Sequence, residues 1–587
     1  MKKHAMRLQR AAQWCFESTL VVCAANLFAQ TTPTDTLTTA ERNAHMEKPE
    51  THSVYVPRTA HKTTPAYRFS SPQIFTTQVN VDVLGANLLD DAANEPSLAI
   101  DPVHPERMVI GWRQFDTINN SFRQAGYGFT QDGGMTWTFP GVIEPGIFRS
   151  DPVLDSDAEG NFYFNSLTVS GSVFRCQVFK SSDGGATWDA GVFAQGGDKQ
   201  WMVIDKTGGM GHGNIYAYWT QSFSVCAPGF FTRSTNRGRS FENCSIIPEE
   251  TMHWGTLALG PEGELYVCGE SNSGFVVTKS LSARDSSEAV SWELLRNVNL
   301  DGTIQFGGGP NPGGLLGQTW VATDRSSGPM RGNVYLLCSV RRFSTADPCD
   351  VMFAASTDGG ETWSAPMRLN DDSTNSAWQW FGTMSVAPNG RIDVIWLDTR
   401  DDPGGFFSAL YYTNSLDGGG TWSKNERLSE IFDPHIGWPR QNKIGDYFHM
   451  ISDNEHAHLA WAATFNGEQD VYYSRIALGN VAVREAISEN ARTPHSATLA
   501  QNYPNPFNPS TTINFTLARG GAVELKILNE MGVVVRVLVR EEKLAGAHAV
   551  IWDGRNDAGA LLASGQYFYT LSLAKREVVT KRLLLLK

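Results

Sequence analysis

Several residues able to carry chemistry stand at the starts of short apolar runs spread over more than three hundred residues. Glu95, Asp151, Asp198, Lys199, Asp446 and Tyr447 supply acids, a base and a phenol, and Trp201, His253, Trp254, Trp320 and Trp380 supply aromatic rings. A second set follows the next apolar run of each region: Arg113, Asp116, Glu270, Arg341, Arg342, Asp398 and Arg400. If the chain brings these together, Asp151, Asp198, Asp446 and Tyr447 are the catalytic candidates, since neighbouring carboxylates can divide general acid and base or nucleophile roles. Trp201, Trp254, Trp320 and Trp380, with Arg113, Arg341 and Arg400, are the ligand-binding candidates, because indole faces stack on sugar rings. The competing reading is structural: the carboxylates pair with Arg and Lys and hold loops in place. His253, His435 and His449 lack metal-ligand spacing, so neither a metal nor another cofactor is expected.

The positioning elements are read from alternation. A first strand at Pro96–Asp101, a second at Met108–Trp112, a third and then a fourth form a unit. Equivalent first strands begin near Asp151, Lys199, His253, Gln318, Phe381 and Asp446, at intervals of about 50 to 65 residues. Seven four-stranded units describe a seven-bladed β-propeller, in which the first strands converge on one axis. The seventh unit lacks a fourth strand. Thr77–Val83, an alternating run with no partner of its own, is expected to pair with Asp470–Ile476 and remove the open edge.

Within the units one turn recurs: TQDGGMTW from Thr130, SSDGGATW from Ser181, STDGGETW from Ser356 and SLDGGGTW from Ser415, with STNRGRSF from Ser234 as a divergent copy. Gly provides left-handed backbone, Asp accepts turn amides and Trp covers the hairpin. Asp132, Asp183, Asp358 and Asp417 are therefore turn formers. The motif resembles the Asp-box, or bacterial neuraminidase repeat, which implies a sialidase-superfamily-like propeller with ligands bound on the opposite face. Sialidases bind their substrate carboxylate with three arginines, which Arg113, Arg341 and Arg400 could imitate. The sialidase Arg-Ile-Pro signature is absent here, however, and sialidases have six blades. Asp155–Gly160 reads as a hairpin turn rather than a calcium loop, since Ser166 stands where the twelfth ligand would be.

From Gln501 the chain changes character. Tyr503-Pro504-Asn505-Pro506-Phe507-Asn508-Pro509, Trp552-Asp553-Gly554, Ala563-Ser564-Gly565 and a basic, apolar tail resemble the type A C-terminal sorting domain of type IX secretion cargo. That domain is in turn similar to the Ig-like domain of flagellar hook-capping proteins. The resemblance implies a small Ig-like β-sandwich and outer-membrane secretion machinery as a partner, with the protein released or held at the cell surface of a bacterium that has an outer membrane.

At 587 residues the chain is long for one core unless repeats share it. The formal charge of −13 removes the electrostatic footprint of a nucleic-acid binder. Residues 1–29 read as a secretory signal, 30–74 as a disordered linker, 75–479 as the propeller, 480–497 as a linker and 498–587 as the sorting domain. No later stretch is apolar enough to span a membrane as a helix. In an exported protein disulfides persist, and two are expected, Cys226–Cys244 and Cys338–Cys349. Taken together, the chain is expected to bind an extracellular glycan or other polymer, with a sialidase-like glycoside hydrolase as the alternative.

Overall fold

The computed structural model describes residues 55, 62–249, 252–477 and most of 497–586. The expected signal peptide, most of the 30–74 linker, the 480–497 linker save its last residue, and Tyr503 and Pro506 of the C-terminal motif lie outside the described residues. Among the described residues the chain is all-β apart from one 3-10 turn at Ser282–Arg284. It forms two compact units, 1–480 and 481–587. Among the described residues no helix is long and apolar enough to cross a membrane.

Among the described residues the first unit holds seven antiparallel sheets of three to five strands, and a two-stranded pair, Thr63–Pro65 with Ala86–Leu88. The first strands of the seven sheets, which face one another, are Ala92–Ile100, Ser150–Ser156, Trp201–Ile204, Leu257–Leu259, Trp320–Thr323, Gln379–Val386 and His449–Ser452. Each packs against the next, and the last packs back against the first. Apolar residues fill the spaces between sheets. Leu98, Ile110 and Trp112 meet Val471 and Tyr473, while Val109 and Tyr127 meet Leu154 and Phe164. Both faces of a sheet are covered, which is why a strand such as Val334–Arg342 opens with the unbroken apolar run Val334 to Cys338 instead of alternating.

The run Ile74–Gln78 is the fourth strand of the seventh sheet, pairing Thr77 with Tyr473 and Gln78 with Tyr472. It starts three residues earlier than alternation suggests and ends at Gln78, after which Val81 bridges Asn87. Arg68–Ser70 adds a fifth strand outside it. Buried side chains fasten this junction: Thr76 Oγ1 lies 2.8 Å from Ser474 Oγ, and Asn80 Nδ2 donates to Asp470 Oδ1 at 2.8 Å.

The repeated turns share one set of bonds. In the copy at Ser356, Asp358 Oδ1 accepts the Thr362 N–H at 2.9 Å, Asp358 Oδ2 accepts the Thr362 hydroxyl at 2.6 Å, and Ser356 Oγ accepts the Gly360 N–H at 2.8 Å. The hydroxyl and amide of Thr362 hold the Asp358 carboxyl down at about 2. Divergent STNRGRSF keeps the pattern, with Asn236 Oδ1 accepting the Ser240 N–H at 3.0 Å. Asp157 likewise collects the N–H groups of Glu159 and Asn161 and forms a hairpin turn.

Cys226 and Cys244 are bonded, with Cα atoms 6.2 Å apart. The expected Cys338–Cys349 bridge is corrected: both are buried free thiols. Pairing of Ser339 with Val351 and Val340 with Asp350 places Cys349 beside Arg341, three positions along from Cys338. The two side chains enter different apolar clusters, which no disulfide geometry spans.

In the second unit, Ala497–Leu499, Thr511–Leu517 and Gly546–Trp552 form one sheet. Val534–Lys543, Gly521–Leu528, Gly565–Leu573 and Arg576–Leu585 form another. The two share an independent core of Phe507, Phe515, Leu525, Trp552, Tyr569 and Leu583.

Candidate functional site

Residues in or just before the first strands of the first, second, third and seventh sheets do converge. Counting three back from the apolar residues Leu98, Leu154, Met202, Leu257 and Met384 gives Glu95, Asp151, Lys199, Trp254 and Phe381. All five adopt left-handed backbone, with φ of 50°, 46°, 54°, 53° and 57°. A side chain in that region costs roughly 1–3 kcal/mol per residue, so each is held by its surroundings. In the seventh sheet Gly445, at φ 107°, packs against Glu95, and a Cβ there would stand 2.7 Å from Glu95 Cγ.

Of these five, Glu95, Asp151 and Lys199 meet in a buried ionic cluster, while Trp254 and Phe381 pack in apolar clusters. Lys199 Nζ lies 2.8 Å from Asp446 Oδ2, 3.4 Å from Asp151 Oδ2 and 3.7 Å from Asp198 Oδ1. Lys443, which the sequence did not single out, brings its Nζ to 2.6 Å from Asp446 Oδ2 and 3.6 Å from Glu95 Oε1. Arg113 Nη2 reaches Glu95 Oε1 at 3.1 Å, and its Nε donates to Asn94 Oδ1 at 2.9 Å. Four carboxyl groups thus share three cations at almost no solvent exposure. Burial pushes Glu95 up to about 8 against the pull of Arg113 and Lys199, with Asp446 adding to the rise. A proton on Glu95 would bring the formal charges of the cluster to three against three. Tyr447, also driven upward by burial, donates its hydroxyl to Pro152 O at 3.0 Å.

The expected indole faces are interior. Trp201 packs against Trp320 at 4.9 Å, Tyr447 at 5.3 Å and His449 at 5.4 Å. Trp254 lies against His253 and Phe306, and Trp380 against Phe381, with its Nε1 donating to Ser408 Oγ at 3.1 Å. All four tryptophans are buried. Replacing Trp201 or Trp320 would cost core packing of about 3–5 kcal/mol and report stability before any ligand effect. The three arginines lie apart, Arg113 and Arg341 in second strands of the first and fifth sheets and Arg400 in the turn after the second strand of the sixth. Arg113 is engaged by Glu95, Arg400 by Asp398 at 2.8 Å and Asp371 at 2.7 Å, and Arg341 sits opposite Thr303.

Half-exposed aromatic residues appear instead on the loops around this end of the sheets. Trp378 precedes the first strand of the sixth sheet, Phe406 lies between its second and third strands, and His435 and Trp438 lie on the loop leading to the seventh. Antiparallel order puts all three loops at the end where Glu95 and Asp446 sit. Ring centroids run in a row: Trp378 to Phe406 6.4 Å, Phe406 to His435 5.3 Å, His435 to Trp438 5.0 Å. His435 Nε2 lies 3.1 Å from Gly309 O, tying the row to the fifth sheet's loop between Gly302–Ile304 and Trp320–Thr323. Phe407, at 46 % exposure, and Ile436, at 36 %, extend the apolar surface, with Asp401, Asp402 and Arg440 nearby in sequence. Strand periodicity hides these residues because they stand in irregular loops. The one signal in the chain is the Pro-His-Ile-Gly-Trp-Pro run at 434–439. A separate cleft of about 260 Å³ lies at the opposite end, between Met210, Arg284 and Glu293.

Comparison with known proteins adds one family match, to the FlgD Ig-like domain over residues 507–577. Among curated proteins no relative matches the chain. The chain is similar to a solved protein of unknown function from Dyadobacter fermentans DSM 18053, at 13% identity and a TM-score of 0.40, over 69% of this chain and 100% of that one. It is similar to an ulvan lyase, a polysaccharide lyase, at 10% identity and 0.39, over 65% and 93%. The phage phi92 endosialidase gives 8% and 0.38, over 87% of each chain. The C-terminal segment thus matches the FlgD Ig-like domain, joined in this chain to an all-β unit of successive antiparallel sheets.

Proposed function

We propose that the protein is an exported seven-bladed β-propeller of Asp-box type that binds an extracellular glycan at the end where its first strands begin, and that an Ig-like sorting domain delivers it through outer-membrane secretion machinery. Support for the ring comes from the cyclic packing of the seven first strands and from the closing strand Ile74–Gln78. The C-terminal match and the Pro-rich motif at 503–509 support delivery. The observation that carries the glycan reading is the row Trp378, Phe406, His435 and Trp438, four partly exposed rings from three loops that also carry Asp402, which accepts the Phe407 N–H, and Asp433, which accepts the His435 N–H. Sugars suit such a surface, since their axial C–H faces stack on rings while their hydroxyls bond to acids.

A second reading, a glycoside hydrolase, draws on Glu95: a carboxyl raised to about 8 beside Asp446 has the protonation of a general acid. Catalysis there requires the buried cluster to open to substrate. The experiment is a polysaccharide panel scored for both binding and turnover with wild type, Trp378→Ala, Trp438→Ala and Glu95→Gln. The binding reading expects a loss of affinity of tenfold or more in both Trp variants and no turnover. Turnover abolished by Glu95→Gln would establish the hydrolase, and unchanged binding in both Trp variants would sink the assignment of this surface.

A further inference from the structure

The hairpin turn between the first two strands of the seventh sheet differs from its counterparts in the second, third and fifth sheets in a chemically specific way. In the second sheet, Ser156 pairs with Phe162, and the turn acid Asp157 is met by the two residues flanking Phe162. Asn161 Nδ2 donates to Asp157 Oδ2 at 2.7 Å and Tyr163 Oη donates to the same oxygen at 3.0 Å. Asn214 and Tyr216 in the third sheet, and Asn333 and Tyr335 in the fifth, repeat the Asn-x-Tyr pattern beside Asp205 and Asp324. In the seventh sheet Ser452 pairs with Ala457, so the equivalent positions are Asp453, His456 and His458. Both hydrogen-bond donors have been replaced by imidazoles around an unchanged turn acid.

We propose that Asp453, His456 and His458 form a binding site for a divalent transition ion of the zinc type. Their ligand atoms lie within 4.8 Å of one another. His458 Nε2 is 3.0 Å from Asp453 Oδ2, and His456 Nδ1 is 3.9 Å from Asp453 Oδ1. Bonds of about 2.0–2.1 Å in a tetrahedron put ligand atoms roughly 3.3 Å apart, so small side-chain adjustments admit an ion. Two imidazoles and one carboxylate favour zinc, cobalt or nickel over calcium and magnesium, which take oxygen ligands.

The surroundings are arranged for this use. Asp453 Oδ1 accepts the N–H groups of Glu455 and His456 at 2.7 and 2.6 Å, which fixes the carboxylate plane and leaves Oδ2 toward His458. His458 Nδ1 lies 2.7 Å from Tyr473 Oη, so with its proton there the ring presents the Nε2 lone pair to an ion. Arg391 holds the turn backbone through the carbonyls of Asp453, Asn454 and His456, and its own charge is met by Asp393 at 2.8 Å. Asp453 is about half exposed, leaving a fourth position for water. The site lies at the opposite end of the sheets from the aromatic row, so its fate is independent of the glycan reading.

The test is titration of the metal-free full-length protein with Zn²⁺ by calorimetry and with Co²⁺ by visible absorption, alongside the double variant His456→Asn/His458→Tyr, which recreates the turn chemistry of the second, third and fifth sheets, and Asp453→Asn. One saturable site is expected in the wild type, with the d–d bands of low-coordinate Co²⁺ and a Zn²⁺-dependent rise in Tm. The double variant should keep its metal-free Tm and lose at least tenfold in affinity, which removes the chain's other histidines as the source. Absence of saturable binding in the wild type, or equal affinity in every folded variant, would overturn the proposal.

Discussion

At the scale of single residues, the Glu95 carboxyl controls the balance of the buried cluster. Its folded-state value of about 8 lies above the ordinary 4.5, so between these values the folded protein holds a proton that the unfolded chain has released. Stability from this group is therefore present below about 4.5 and is lost progressively as pH rises through about 8. Glu95→Gln keeps the shape of the protonated acid and removes the titration. Thermal unfolding between pH 5 and 9 should show the variant close to wild type at the acid end and gaining on it toward pH 9. A variant that loses stability uniformly, or most at high pH, would show that Glu95 is held ionised by Arg113 and Lys443. Convergence of Glu95, Asp151, Asp198, Lys199 and Asp446 was legible in the sequence, because repeat spacing alone brings strand starts to one axis. Lys443 was not, since it sits in a loop with no period, and neither was the burial of Trp201 and Trp320. A repeat pattern shows which residues face the axis and does not show how tightly they fill it.

At the scale of elements, the strand Ile74–Gln78 is joined to Asp470–Ala477 across almost the whole length of the first unit. Val79 N–H donates to Val471 O at 2.8 Å, so alternation turns the Thr77 N–H toward the same strand. Thr77→Pro removes that donor and leaves a buried carbonyl unpaired on the last full strand. The expected cost is about 2 kcal/mol or more in urea unfolding, together with a concentration-dependent loss of soluble protein as the edge is freed. Thr77→Val, which keeps the N–H, should cost far less. The pairing could be read from the sequence because one sheet lacked a strand and one alternating run lacked a sheet. The two halves of the Cys338–Cys349 expectation looked equally suggestive on a hairpin, yet register placed them three positions apart. Counting along a loop does not fix which way a strand residue points. The same limit hid the seventh turn: Asp-x-x-His-x-His at 453–458 is visible in the sequence, but its likeness to Asp-x-x-x-Asn-x-Tyr appears only once the pairs Ser156–Phe162 and Ser452–Ala457 are aligned.

At the scale of the whole molecule, the two compact units own separate cores, one built between the seven sheets and the other around Trp552 and Tyr569. A domain with its own apolar core and its own closed set of strand pairs has what it needs to unfold as a cooperative unit. Every strand from Arg68 to Ala477 finds its sheet partners within 63–477, and every strand from Ala497 onward finds them within the second unit. A chain spanning 62–477 should therefore fold alone, and in calorimetry its single transition should coincide with one of two in the full-length protein. A segment spanning 497–587 should account for the other. Export is a separate matter. If the C-terminal unit acts as a delivery signal, its removal should leave the first unit folded inside the cell and absent from the surface and the medium, and fusing residues 498–587 to an unrelated folded domain with the same leader should carry that domain out. Export that persists without the C-terminal unit would reject the delivery role while leaving the two-core division intact. A chain ending at Ala477 that cannot fold would reject the division itself.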